Sequence, residues 1–380
     1  MWIVRQSRLI ALSMLALAAS ACGRDDGRLG QPLAVTTELA LGAPDNLVEA
    51  PAANPSTDAK VALGRDLFWD PVLSGDRDVA CASCHHPAYG YADGRRTSIG
   101  TGGRGIASGR VIAAGAPTPN RNAMTVLDTA FNGLTLDGPT APSSAPMFWD
   151  NRTRALEQQA LGPITAAAEM RGPNFDADHI LPEVVARLSA IPVYVTQFER
   201  AYGSAGVTAD RVAGAIAAFE RTLVSTDSSF DRYMRGDATA MSATQVRGMG
   251  VFQASGCGGC HAGPMFSDFQ LHALGVPDLP GASHDAGDGS NRFRTASLRF
   301  VTRTAPYMHN GVFDTLDDVY RFYQRADDRS ADPALRRVRA PRGDDAAAVT
   351  AFLQALSDGS FDATVPQGVP SGLPVGGAIR

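Results

Sequence analysis

A short pattern occurs twice in this chain of 380 residues: Cys81-Ala-Ser-Cys84-His85 and Cys257-Gly-Gly-Cys260-His261. Cysteines three apart lie on one face of a helical turn, so both sulfurs can bond the two vinyl groups along one edge of a porphyrin. The histidine that follows can then swing beneath the plane and ligate the iron. Each copy therefore reads as a covalent attachment site for c-type haem, and the chain must fold around two of them. Other uses of Cys-x-x-Cys fit poorly. The halves of a zinc ribbon stand roughly 15–20 residues apart, whereas these begin 176 apart and each carries the additional histidine. A thioredoxin-like dithiol needs one motif beside a strand and explains neither histidine. Two haems imply redox or peroxide chemistry.

Four of the five cysteines sit in these motifs, which leaves no pair for a structural disulfide. The fifth, Cys22, ends a segment with the proportions of an export signal (1–21). Arg5 and Arg8 precede an apolar stretch, Leu9–Ala21, that is too short to span a bilayer. Ala19-Ser20-Ala21-Cys22 resembles a bacterial lipobox, whose cysteine becomes the lipidated N-terminus, although leucine usually stands where Ala19 does. Plain cleavage to a soluble periplasmic form is the alternative. An unpaired cysteine in an exported protein favours the lipoprotein, and Gly23 favours, by the same resemblance, the outer membrane. Losing 1–21 takes the net charge from −5 to −7. That mild acidity argues against nucleic acid or anionic membrane partners, so a membrane is met only through the lipid. No second apolar run reaches spanning length, and 44% hydrophobic content suffices for packed cores.

Residues 22–55 are rich in Gly, Pro, Ala and Asp and read as a flexible tether. Ala59–Asp70 places Val61, Leu63, Leu67 and Phe68 at helical spacing. Arg152–Leu161 and Val184–Tyr202 read as helices. Arg211–Leu223 carries an apolar stripe at Val212, Ile216, Phe219 and Leu223. Thr226–Ser229 reads as a cap or turn, and the domain boundary falls beside it. Ala243–Ser255 leads into the second motif, and Asp345–Leu356 is a last helix with Val349, Phe352, Leu353 and Leu356 on one face. The glycines of 100–115 follow no strand, so they suit close backbone approach to haem rather than a nucleotide. Few segments alternate with period two. The expected fold is all-α: an N-terminal haem domain (56–225), a C-terminal cytochrome-c-like domain (226–360), long connecting loops and an extended tail (361–380).

Several stretches then resemble one family, the bacterial di-haem cytochrome c peroxidases and MauG. These are Phe148-Trp149-Asp150-Asn151-Arg152, Glu157 to Pro163, Ala168-Glu169-Met170, Phe219 to Leu223, Ser229 to Tyr233, and Thr304 to Gly311. The match runs in order from about Ala59 to Leu356. Met124, Asn151, Ala296 and Phe300 depart from residues that are commonly Pro, Gly, Pro and Asn, and they look like packing changes.

The resemblance implies specific roles. Glu169 would be the distal acid–base, its pKa raised by desolvation over the haem, and Gln159 would orient the peroxide. Trp149 would stand between the haems as an oxidisable relay. Asn122, with the backbone carbonyls of Thr304 and Pro306, would hold a calcium ion. In the peroxidases a histidine after a Ser-Ile-Gly-like stretch can block the N-terminal haem. Here Ser98-Ile99-Gly100 is followed by Thr101, and His86 adjoins the proximal ligand, so the site should be open. Tyr323 falls where the peroxidases place a methionine as sixth ligand of the C-terminal haem, as in MauG, with Met308 as its rival. A phenolate ligand favours ferric and higher states, whereas His/Met ligation raises the potential. Each residue also has an ordinary reading: a solvated helix-end glutamate, a core tryptophan, a half-buried helix tyrosine, a turn-capping asparagine. His179, His272 and His284 match nothing and read as surface or core. Asp285–Asn291 lacks the glutamate and spacing of an EF-hand.

Hydrogen peroxide is thus the expected substrate. Its electrons would come from a small redox protein. The alternative, resembling MauG, is oxidation of Tyr or Trp side chains in a partner protein. A non-enzymatic di-haem electron carrier is a third reading, against which Thr101 argues.

Overall fold

The computed structural model describes residues 48–114, 116–325 and 332–379. The export signal, Cys22 and most of the expected tether lie outside the described residues. Helix α1 (Asp58–Trp69) starts at Thr57, whose hydroxyl accepts the Lys60 N–H at 3.3 Å. It buries Leu63, Leu67 and Phe68 against α7 (Ala209–Glu220), itself capped by Thr208. Between them come α2 (Cys81–Cys84), the short α3 (Leu156–Gln159) and α4 (Leu161–Thr165), and α5 (Ala177–Ser189) and α6 (Pro192–Tyr202). Later come α8 (Ser229–Met234), α9 (Ala243–Ala254), α10 (Leu316–Tyr323) and α11 (Gly343–Gln354). The chain is mostly helical, with long loops. Its described strands form two small antiparallel ribbons, Pro146–Met147 with Thr153–Arg154 and Leu271–His272 with Phe293–Arg294.

The same helix crossing appears twice. A Cβ placed on Gly64 of α1 would stand 1.9 Å from the Ala215 carbonyl oxygen and 2.9 Å from the Phe219 Cβ. A Cβ on Gly248 of α9 would stand 1.8 Å from the Ala348 oxygen and 3.0 Å from the Phe352 Cβ. In each half a glycine lets backbone meet backbone, and each phenylalanine follows its alanine by one turn. A haem motif then follows the glycine-bearing helix. Gly64→Ala or Gly248→Ala gains ~1 kcal/mol of helix propensity. Overpacking a core costs ~1–3 kcal/mol or more, and a carbonyl cannot rotate away as a side chain can. Each variant is therefore expected to be net destabilised, read as a lowered thermal unfolding midpoint at equal haem content. An unchanged midpoint would mean that the helices can separate at little cost.

Two apolar cores flank these crossings. One gathers Leu63, Leu67, Ile180, Val184, Phe198 and Ile216, the other Phe230, Met249, Phe252, Phe266 and Phe352. A third cluster joins Phe68, Phe219 and Leu223 to Phe300, and Ser228 caps α8 in a reciprocal box with Asp231.

Three local expectations need correction, and the tail gains a detail. Val184–Tyr202 is two helices, because Pro192 holds Ile191 in an extended conformation. Arg152–Leu161 begins as strand and becomes helical only after Ala155, which has φ +63°. The tether ends earlier than residue 55: Asn54 is buried and donates to the Glu157 carboxylate at 2.8 Å and to the Gly214 carbonyl at 2.9 Å. The tail has little regular structure but is built in. Ser371 donates to Asp70 at 2.7 Å, and the Gly376 carbonyl accepts from Ser83 of α2 at 2.8 Å.

Candidate active site

A single cavity of about 950 Å³ is lined by Cys81, Cys84 and His85 together with Cys257, Cys260 and His261. That is the upper end of the ~300–1,000 Å³ typical of small-ligand pockets. Both histidines are set for iron. His85 Nδ1 lies 3.0 Å from the Tyr91 carbonyl oxygen, and His261 Nδ1 lies 2.8 Å from that of Phe266. A carbonyl can only accept, so each Nδ1 carries the proton and each Nε2 keeps its lone pair. Burial lowers the pKa of both rings, opposed by the carbonyls of Tyr91 and Met124 around His85 and of Phe266 and Ala296 around His261. Neutral imidazoles beside paired cysteines are the donor set that c-type haem requires, so these residues fit the group at both motifs.

This geometry revises the reading of the four departures. Met124 and Ala296 present carbonyls to the proximal rings, a role open to proline, which keeps its carbonyl while lacking an N–H. Asn151 and Phe300 have φ of +54° and +61°, the left-handed region that Gly and Asn tolerate best. All four carry a backbone role, and Phe300 also packs as a buried core side chain against Phe361.

Glu169 lines the cavity from a π-helical turn, Ala167–Arg171, a local form often found at functional sites. Burial is the main influence on its carboxyl and raises the pKa, with Arg152 opposing. Gln159, at the end of α3, lines the same cavity. The Glu169 backbone is braced from behind. Its carbonyl accepts the Thr101 N–H at 2.7 Å, and a Cβ on Gly100 would come within 2.2 Å of that oxygen. Gly100 thus serves close approach to the Glu169 turn. Thr101 is buried but does not line the cavity: its hydroxyl reaches Asp78 at 3.1 Å and Asp76 at 3.2 Å. Arg110, also buried, fixes the loop by donating to the carbonyls of Ile99, Gly100 and Gly105 at 2.7, 3.0 and 3.0 Å. His86 accepts the Ala88 N–H, packs edge-on against Trp69 and does not line the cavity.

At the other motif, Tyr323 and Met308 both line the cavity. Burial pushes the Tyr323 phenol well above its ordinary value, and its electrostatic neighbours are Cys257 and Cys260. The ring therefore stands close to the attachment pair. Tyr320, one turn earlier, bonds Thr350 at 3.0 Å in the core.

Trp149 spans the two halves. Its indole N–H donates to the Asn122 carbonyl at 2.9 Å, and its own carbonyl accepts the Arg294 N–H at 2.6 Å. Arg121 ties this turn down, donating to Asp150 at 2.7 Å and to both Asp285 oxygens at 2.6 and 2.8 Å. Asn122, Thr304 and Pro306 share the cavity wall. The Asn122 amide nitrogen donates to the Arg95 carbonyl at 2.7 Å, which leaves its oxygen as the end able to ligate.

Several wall residues escaped the sequence reading. His272, expected to be surface or core, lies between two carboxylates, Asp268 at 3.0 Å and Asp332 at 2.9 Å. Hydrogen bonding to Asp268 first, then to Cys260 and Asp332, pushes its pKa up to about 11 against the lowering effect of burial. His284 lines the cavity mouth beside Asp278 and Asn291, whereas His179 is exposed. His309 stacks on Phe293 with centroids 3.6 Å apart and leaves Nε2 buried without a partner. Glu220 is a buried carboxyl in the same wall. Its signal was legible, since position 220 continues the apolar register of Val212 and Ile216.

Known proteins are similar to this chain in sequence and fold. The family model for di-haem cytochrome c peroxidase matches residues 58–239. Cytochrome-c peroxidase IdrP1 of Pseudomonas sp. (strain SCT) is 34% identical over 358 residues, covering 84% of this chain and 83% of its own length. Methylamine utilization protein MauG of Methylorubrum extorquens is 36% identical over 288 residues, covering 73% and 71%. A solved MauG-like protein associated with microbial copper homeostasis matches with a TM-score of 0.66 and 27% identity, over 82% of this chain and 93% of that one. Likeness of this degree, running through both attachment motifs, makes the chain a member of the di-haem cytochrome c peroxidase and MauG family, and a haem peroxidase.

Proposed function

We propose that this is an exported peroxidase whose N-terminal haem site is open to hydrogen peroxide without prior reduction. The observation that carries this reading is the direction of Thr101. It stands where the peroxidases place a blocking histidine, and it turns to Asp76 and Asp78 while Gly100 and Glu169 line the cavity. Haem, when bound, supplies the redox chemistry that splits the O–O bond. Glu169 moves a proton from one peroxide oxygen to the other, and Gln159 holds the substrate by hydrogen bonding. Trp149 is the oxidisable side chain between the halves. The repeated glycine crossing supports two cytochrome-c-like units. Asn122, Thr304 and Pro306 would hold a calcium ion, for which neutral oxygens suffice. Cys22 would carry a lipid anchor at the outer membrane, tested by whether Cys22→Ser releases the protein from membranes. Among the described residues no helix is long and apolar enough to cross a membrane.

Electrons would come from a small cytochrome or cupredoxin. Tyr323 favours a second reading, oxidation of Tyr or Trp side chains in a partner protein, because an anionic ligand disfavours reduction. Two measurements test these readings. Fully oxidised protein should react with peroxide at once, and a need for pre-reduction would overturn the open site. Ferric protein should show one high-spin and one low-spin signal in electron paramagnetic resonance. Tyr323→Phe should change the low-spin signal and Met308→Leu should not. The reverse would reassign the ligand and remove the second reading.

A further inference from the structure

Glu220 ends α7 with 4% of its surface exposed, lines the cavity, and leaves Oε2 buried without a hydrogen-bond partner. An acid so placed is costly as a carboxylate, and an apolar residue would continue the Val212–Ile216 stripe at less cost. Its surroundings do little to neutralise it. From α2 it faces Cys81, which binds porphyrin rather than iron. Arg221, the adjacent cation, is engaged by Glu157 of α3: Nη1 lies 2.7 Å from Oε1, and Nη2 donates to Oε2 at 2.9 Å. On α1, Lys60 turns to Asn54 and Arg65 to Asp362. On α5, Arg187 turns to the carbonyls of Val72, Ser74 and Gly75. Asp93 and Glu169, the acids beside Cys84, also have arginine neighbours: Arg95 and Arg110 for Asp93, Arg152 for Glu169.

We propose that Glu220 is the proton-coupling group of the N-terminal haem site, taking up one proton as an electron arrives there and releasing it when the site is oxidised. The inference rests on the peroxidase reading of this cavity and adds a charge-balancing proton, drawn from solvent as each electron arrives and returned to solvent on oxidation, separate from the two protons that end in water. Reducing one hydrogen peroxide to two waters consumes two electrons and two protons. Glu169 relocates a proton within the substrate and adds none. The electrons come from the peroxidase's reductant, and each must be balanced in a wall largely closed to water. An electron placed beside Cys81 raises the proton affinity of a nearby carboxyl, so the Glu220 O–H bond forms on reduction and breaks on oxidation. Burial, the largest influence, pushes its pKa up to about 8, with Arg221 opposing and Glu157 adding. The group therefore exchanges its proton near neutral pH.

Spectroelectrochemical titration of the di-haem protein across that range tests the proposal. In the wild type the N-terminal potential should fall as pH rises, with one proton taken up per electron. Glu220→Gln keeps the shape and should lose this slope. Glu220→Asp should restore it with a displaced midpoint. Infrared difference spectra should show a carboxylic-acid carbonyl band in the wild type that is missing in Glu220→Gln. An unchanged slope and an unchanged band in Glu220→Gln would overturn the proposal. Failure of the open-site reading looks different, because wild-type protein would then need pre-reduction while its potential still followed pH.

Discussion

Glu169→Gln is expected to slow the first spectral change after peroxide is mixed with the oxidised protein by ~10²–10⁴, the usual contribution of general acid–base catalysis. Glutamine fills the same volume but cannot accept a proton. The turn that carries residue 169 is held by the Thr101 N–H and by close contact with Gly100, so the substitution should leave the backbone in place. The wild-type rate has a predictable pH dependence. In the proposed role the carboxylate is the active base, and burial raises its pKa against the smaller opposing effect of Arg152. The rate should therefore climb as pH rises through that elevated pKa, and Glu169→Gln should be flat over the same interval. Gly100→Ala gives an independent check, since a Cβ there collides with the Glu169 carbonyl and should displace the base while leaving its chemistry intact. If Glu169→Gln reacts as fast as the wild type, the base lies elsewhere in the wall.

What was readable in the sequence was mainly local. The two motifs announce themselves because attachment needs cysteines and histidine within one turn. Helices α1, α7 and α11 fall close to their expected bounds because each carries an apolar stripe over three turns. What was missed at the tether and the tail has a common cause in long-range contact. Ser83 meets the tail 293 positions away, and Asn54 meets Gly214 across 160. No window of sequence shows either pairing. The same holds at the site. His272 looked ordinary because its two carboxylates lie 4 and 60 residues off. The direction of Thr101 is decided by Asp76 and Asp78, which its own segment does not contain. The positive φ of Phe300 and Asn151 went unread because a sequence carries no record of φ. Glu220 is a different kind of miss, since a charge on an apolar stripe is visible in the sequence.

Breaking the Arg299–Asp231 pair should produce the largest loss of stability among side-chain substitutions in the C-terminal half. The side chains are 1% and 0% exposed, with Nη2 2.7 Å from Oδ1 and Nη1 3.0 Å from Oδ2. Removing one member strands the other as a buried charge, which costs ~3–5 kcal/mol. Arg299→Met is therefore expected to lower the urea midpoint far more than a surface substitution, and adding Asp231→Asn should recover part of the loss by removing the stranded charge. Recovery should be incomplete for a local reason. Asp231 also accepts the Ser228 N–H at 3.0 Å and the Ser228 hydroxyl at 2.6 Å in the α8 cap. The effect should reach the second haem site as well. Arg299 Nε donates to the Pro264 carbonyl at 2.8 Å, two residues before Phe266, whose carbonyl holds His261 Nδ1. Arg299→Met should thus shift the low-spin signal of the C-terminal haem and leave the N-terminal signal in place. A variant that loses neither stability nor this signal would show that the pair is dispensable and that the His261 loop is held by its own backbone, through the Phe266 N–H to Gly263 and the Asp268 N–H to Cys260.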